Sequence, residues 1–191
     1  MMFNRFTLKA QEALQNAQEL AASKNQGELK PIHLLYSLVR QEGGVVPMIL
    51  TRLGVNLSNL LSFLEIEINR LPKLFVINAN LGQLYLSQEL MKILERAAKE
   101  AALARDEFIS CEHLLLAIIE VSSDLRAILE RYGVKRENVL KVLKDLRGAQ
   151  RITDEMPETK YQILEKYAIN LTQLAREKKL DPVIGREDEL H

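Results

Sequence analysis

The 191-residue chain has no tryptophan, one cysteine, five prolines and eight glycines. The single cysteine, Cys111, excludes a disulfide within the chain and suits a reducing compartment. Neither sign of charge is in excess, with 26 basic and 26 acidic side chains. A balanced chain without basic runs has no electrostatic footprint for nucleic acid. No apolar run approaches the ~18 residues of a membrane span. The N-terminus enters an amphipathic helix at once and lacks the apolar core of a signal peptide, so a bacterial or organellar-matrix cytosol is the expected location. No glycine sits in a G-x-x-x-x-G-K-[ST] frame, so the backbone cradle for a nucleotide phosphate is missing. Cys111 and His113 diverge on a helix, and neither they nor His33 and Glu112 have metal-ligand spacing. No third group orients a nucleophile, and a small apolar core position is the plainer fate of a lone cysteine. The sequence predicts neither a metal site nor a catalytic residue.

What the chain does have is a repeat. Residues 28–39, ELKPIHLLYSLV, return 80 positions later as 108–119, FISCEHLLLAII. His33-Leu34-Leu35 falls on His113-Leu114-Leu115, and Leu14, Ala17 and Ala21 fall on Leu94, Ala97 and Ala101. Further on, at an offset of 79, Ile49–Val55 (ILTRLGV) meets Ile128–Val134 (ILERYGV). A motif used twice must be found first, because each copy is one structural unit that cannot bury its apolar face alone.

Each copy reads as four helices. In the first, the stripe Ala10, Ala13, Leu14, Ala17 and Ala21 has a 3.6-residue period, with Thr7 as N-cap and Gly27 ending the element. Pro31 opens a second helix, residues 46–53 form a short third one stopped by Gly54, and Asn56 or Ser58 opens a fourth that reaches Leu71. In the second copy Ser87, Ser110 and the glycine at 133 take the same parts, and residues 125–131 and 135–147 are the last two helices. Alanines 17, 21, 22, 97, 101 and 102 permit close helix approach. The fold class is therefore all-α, two four-helix repeats packed as a pseudo-twofold pair, with repeat one over residues 6–71 and repeat two over 86–147. Residues 148–160 are polar and aperiodic and read as a linker. Short helical patterns follow over 161–191, and the last, from Arg186, has only begun when the sequence ends, which reads as the opening of a further domain.

The doubled helix, the [IL]-x-x-x-H-[IL]-L motif and the later L-G-V resemble the Clp N-terminal repeat domain. YAINLTQLAREKKLDPVIGREDEL, residues 167–190, resembles the entry to the first AAA+ ATPase module of the Clp unfoldases, and FNRFTLKAQEALQNAQELA leans towards their ClpB-type disaggregase branch. The resemblance implies a module that captures unfolded or aggregated polypeptide and hands it to a homohexameric, ATP- and Mg-dependent ring, while this stretch itself stays monomeric and non-catalytic. The alternative it leaves open is an adaptor-docking domain of a ClpC-type unfoldase that feeds a peptidase. Val183, Ile184, Gly185 and Arg186 would border the adenine in an intact ATPase. Functional positions carried over by the resemblance are Thr7, Asp106 and Glu112. The plainer reading is that Thr7 caps a helix and Glu112 complements a helix dipole, where negative charge is already favoured. An apolar groove beside the first helix of repeat two is also implied. The outward positions there read as Arg96, Lys99 and Glu100, with His113 across the groove, so the groove is more polar than the family pattern. Because the first copy has Ile32 where the second has Glu112, a symmetric pair of anionic sites is not expected.

Overall fold

The computed structural model describes residues 5–74 and 84–148. The linker expected over residues 148–160, apart from its first residue, the ATPase entry with Val183–Arg186, and residues 75–83 of the connection between repeats lie outside the described residues. Among those described, eight helices and two very short strands occur in the order α1 (Leu8–Ser23), β1 (Glu28–Leu29), α2 (Pro31–Arg40), α3 (Val45–Arg52), α4 (Leu57–Asn69), β2 (Tyr85–Leu86), α5 (Gln88–Leu103), α6 (Cys111–Val121), α7 (Ser123–Arg131) and α8 (Arg136–Arg147).

Local chemistry sets the boundaries, and it does so in the same way in both copies. Thr7 Oγ1 accepts the Ala10 N–H at 3.1 Å, and Ser87 Oγ accepts the Leu90 N–H at 2.9 Å, each satisfying a first-turn donor that has no partner within the helix. The ends of α1 and α5 depart from expectation. Gly27 does not stop α1; Asn25 does, in the left-handed region at φ 61°, and Arg105 occupies the matching place after α5 at φ 60°. The residue after each then donates back across the turn, Gln26 N–H to Ala21 O at 2.9 Å and Asp106 N–H to Ala101 O at 2.8 Å. Asn tolerates this backbone; arginine does not favour it. Left-handed backbone costs a side-chain-bearing residue about 1–2 kcal/mol, of which glycine's extra unfolded freedom returns about half, so exposed Arg105→Gly should stabilise the protein by roughly 0.5–1 kcal/mol. A urea midpoint that stays put or falls would count against this account of the turn.

The two repeats interlock through their entry segments. The chain before α1 pairs in parallel with the chain before α6, at the bridge Phe6–Ile109. The chain before α2 pairs in parallel with the chain before α5, Glu28 with Tyr85 and Leu29 with Leu86. These are the same contact seen twice, since Phe6 and Leu86 are equivalent, as are Leu29 and Ile109. Each repeat thus lends an entry strand to the other.

Helices α2 and α6 lie at the centre, and every residue from Cys111 to Ile119 is buried. Leu34, Leu35, Leu38, Leu114, Leu115 and Ile118 are completely covered. At roughly 1.5–3 kcal/mol for each large apolar side chain taken from water, this layer dominates the favourable side of folding. Buried Ala13, Ala17 and Ala21 on α1, and Ala97 and Ala101 on α5, let those helices approach α2 and α6. Ala22 and Ala102 are exposed and take no part in this packing. At the far side the repeats meet again where Tyr132 Oη donates to Asn59 Oδ1 at 2.7 Å and the Arg131 guanidinium lies 5.5 Å from the Phe63 ring centre.

Candidate functional site

The two motif histidines begin the construction. Each is the third residue of its helix, and its Nδ1 accepts the N–H of the residue capping that helix: Lys30 N to His33 at 3.0 Å, Ser110 N to His113 at 2.9 Å. That leaves Nε2 as the donor in each ring. His33 Nε2 points to Gln26 Oε1 at 2.7 Å, and His113 Nε2 to Asp106 Oδ2 at 2.8 Å. Both acceptors stand seven residues before their histidine. Each then reaches the end of the fourth helix of its repeat. Gln26 Nε2 donates to the Ile68 carbonyl at 2.7 Å, whereas Asp106 accepts from the Arg147 guanidinium at 2.6 and 3.1 Å. One architectural tie is neutral in repeat one and charged in repeat two.

Around His33 the neutrality is enforced. Burial first, then the charges of Lys30 and Lys24, push its pKa down to about 4. The ring is an uncharged hydrogen-bonding spacer there.

Repeat two adds Glu112, where repeat one has Ile32. The Glu112 side chain is wholly buried. Its Oε1 accepts from Ser110 Oγ–H, while its Oε2 has no hydrogen-bond partner. The Arg147 Nη1 lies 3.8 Å from that oxygen, close enough to attract and too far to bond. Glu112 does sit in the first turn of α6, where the helix dipole favours negative charge, but it is buried there.

These groups border a cavity of about 440 Å³ between α5, α6 and α8. Glu100, Glu112, His113 and Arg147 line it, together with Leu103 and Leu140, which are 62% and 41% exposed at its mouth. Glu100 corrects the sequence reading. It does not face outward but is 3% exposed, held by Arg136 through two bonds of 2.8 and 2.9 Å and by Arg96 at 2.8 Å. Burial pushes the Glu100 carboxyl up, but the hydrogen bonds and charge of Arg136 and Arg96 together outweigh it and hold the group below its ordinary value. In return the Glu100 bond raises Arg136. This pair fastens the start of α8 onto α5.

His113 is likewise 1% exposed rather than open across a groove. Arg96 is half-buried and Lys99 exposed. Thr7 is buried, and its N–H donates to the Ile109 carbonyl at 2.9 Å, next to Ser110 in the chain. Of the residues singled out in the sequence, Glu100, Glu112 and His113 line the cavity; Asp106 stands behind Arg147, and Thr7 and Arg96 are outside the lining. Arg136, Arg147, Leu103 and Leu140 were missed. The repeat offset carried a usable signal for one of these contacts, since it sets Asp106 on Gln26 and so marks a position tied to the motif histidine. Cys111 is buried across the repeat boundary, its Sγ 3.4 Å from Gln41 Oε1. Among the described residues no cluster of three or more His, Cys, Asp or Glu is placed to hold a metal ion.

Comparison with known proteins agrees with this architecture. The family model described as the Clp repeat (R) N-terminal domain matches residues 5–132. The chaperone protein ClpB of Bacillus cereus is 37% identical over 190 residues, and that of Bacteroides thetaiotaomicron 38% identical over 190 residues. Both alignments cover 100% of this chain, which spans 22% of the length of those relatives. Among solved structures, the Hsp104 N-terminal domain from Candida albicans superposes with a TM-score of 0.69 at 21% identity, covering 80% of this chain and 98% of that one. The N-terminal domain of the ClpV1 ATPase from E. coli gives 0.66 at 22% identity, covering 83% and 93%. At these identities the superpositions speak for the fold, and the sequence match speaks for descent: the chain belongs to the Clp repeat N-terminal domain family.

Proposed function

We propose that this domain is the substrate-recognition module of an ATP-dependent protein disaggregase, capturing unfolded or aggregated polypeptide for a hexameric ring. The observation that carries the reading is the repeat-two cavity, which combines an exposed leucine rim with a wholly buried carboxylate oxygen that has no hydrogen-bond donor. An unfolded segment supplies both complements, apolar side chains and hydrogen-bond donors. The names of the curated relatives, ClpB chaperones, support disaggregation over docking of adaptors for a peptidase. Within this reading Glu112 and His113 border the captured segment, Glu100 lines the cavity while fixed by Arg136 and Arg96, Asp106 backs it behind Arg147, and Thr7 and Arg96 support it from outside the lining. ATP and Mg belong to the ring, not to this domain. Weak capture suits the task, because the chain must be released to be threaded.

The test is chemical-shift perturbation of the domain by a permanently unfolded model protein, repeated with Glu112→Gln. The substitution keeps the volume and an acceptor for Ser110, so the domain should stay folded while capture weakens by about three- to tenfold, the range of one lost charge-assisted bond. Equal capture by a folded Glu112→Gln protein would remove the cavity from the reading.

A further inference from the structure

We propose that Arg147 is a built-in competitor for the repeat-two cavity: its guanidinium fills the carboxylate site made by Asp106 and Glu112, and a polypeptide segment bearing a basic side chain is captured by displacing it. The inference rests on the reading of this cavity as the capture site.

Four observations lead to it. First, Arg147 satisfies the site incompletely. It gives Asp106 two hydrogen bonds, at 2.6 and 3.1 Å, yet stops 3.8 Å short of Glu112 Oε2, which is left without a donor in a buried position. Second, the tie between the helix end and the histidine can be made without charged groups. Repeat one ties the same helix end to the same histidine with neutral Gln26 and the Ile68 carbonyl. Third, the competing arginine sits on the last turn of α8, where Gly148 follows at φ 60°. Terminal turns open at the least cost, and the opposite end of α8 stays fastened through Arg136 and Glu100. Fourth, exposed Leu103 and Leu140 flank the mouth and offer apolar surface to the stem of an entering lysine or arginine and to its neighbours.

The exchange is cation for cation. The incoming group takes over Asp106 and supplies the donor missing at Glu112, while Arg147 moves to water. Since the two carboxylates are already buried against one positive charge, their desolvation is not repeated on capture. Selectivity follows from the same geometry: a segment without a basic side chain cannot displace Arg147, because that would leave two buried carboxylates uncompensated.

Methylguanidinium is the probe that needs no assumption about polypeptide. In ~20 mM methylguanidinium chloride the thermal midpoint of Arg147→Ala should rise by about 3 °C relative to the same concentration of sodium chloride, by mass action on the vacated site. The parent should show no such rise, and Arg147→Ala with Glu112→Gln should lose most of it. An unfolded peptide of leucine and arginine should bind Arg147→Ala about fivefold more tightly than the parent, and its citrulline counterpart should bind both alike. No specific rise, or equal or weaker binding of the arginine peptide, overturns the proposal. Should Arg147→Ala fail to fold, Arg147→Lys keeps the charge and loses the fork; it should bind the arginine peptide more tightly than the parent by a smaller factor, and equal or weaker binding again overturns the proposal. Methylguanidinium rescue with no peptide captured by any of the proteins overturns the proposal together with the capture reading, whereas capture of the peptide by the parent with no methylguanidinium rise in Arg147→Ala overturns the proposal alone, so the two failures are distinguishable.

Discussion

Asp106→Ala should destabilise the domain by about 3–5 kcal/mol, because it removes the buried carboxylate that both His113 and Arg147 bond to and breaks a largely buried ion pair by taking away one partner. His113 Nε2 and both terminal nitrogens of Arg147 bond to this one carboxylate. Without it, Arg147 loses both of these hydrogen bonds and keeps Glu112 at 3.8 Å, and the end of α8 loses its tie to the start of α6. The matched change in repeat one, Gln26→Ala, removes neutral bonds to His33 and Ile68 and should cost only about 1–3 kcal/mol. The comparison separates charge from architecture, since both residues occupy the same place in their repeats. Placing the neutral arrangement in repeat two, Asp106→Gln with Arg147→Leu and Glu112→Ile, should recover much of the loss, as buried ion pairs replaced whole are often near neutral in cost. Urea unfolding of the four proteins gives the measurement. If Asp106→Ala loses no more than Gln26→Ala, the charged network contributes nothing to the fold beyond its neutral counterpart.

That network was the part of the molecule least legible in the sequence. The helices were legible because their apolar positions recur at a 3.6-residue spacing and their caps are Thr7, Ser87, Asn56 and glycines 54 and 133. The doubled architecture was legible because two copies share one offset over most of their length. The parallel strand pairs were not: a strand of two residues leaves no alternation to read, and Leu29 and Leu86 look like ordinary loop residues until both repeats are assembled. Arg105 gave no hint of a left-handed backbone, because arginine is neither a turn residue nor a usual helix terminator. Glu100 was assigned to the wrong face for a related reason. Seven residues after Ile93 and three after Ala97, it stands at the edge of the apolar stripe, but its charge reads as solvent-facing until Arg136, on α8, is seen reaching over it. Carboxylates rarely go fully inside unless paired, so a composition argument starts by leaving Glu100, Asp106 and Glu112 at the surface. Their partners, Arg136 and Arg147, are 36 and 41 residues away from Glu100 and Asp106, beyond any local pattern.

The histidine of repeat one makes the domain acid-labile. The pKa of His33 falls from 6.5 to about 4 on folding, through burial first and the Lys30 and Lys24 charges after it. Above pH 6.5 the ring is neutral folded or unfolded, and the full stability is present. As pH falls from 6.5 towards 4, the unfolded chain takes up a proton that the folded domain refuses, so stability drops by up to about 1.4 kcal/mol per pH unit and levels off once the folded ring also protonates. The total across that window is about 3 kcal/mol, a large part of what a domain of this size has to lose. Glu100 has its pKa depressed in the fold, so its own contribution is present above the ordinary carboxylate value of 4.5 and is lost as the pH falls from there, starting only at the acid end of the window set by His33. The two groups are therefore separable. His33→Gln keeps an acceptor near the Lys30 N–H and cannot protonate; it should be less stable than the parent at pH 7.5, having lost the ring's packing, yet nearly flat between pH 6.5 and 4.5. The gap between the two proteins should close as the solution is acidified. Parallel pH profiles for parent and variant over that interval would show that His33 is not the titrating group and that its burial is tolerated in both charge states.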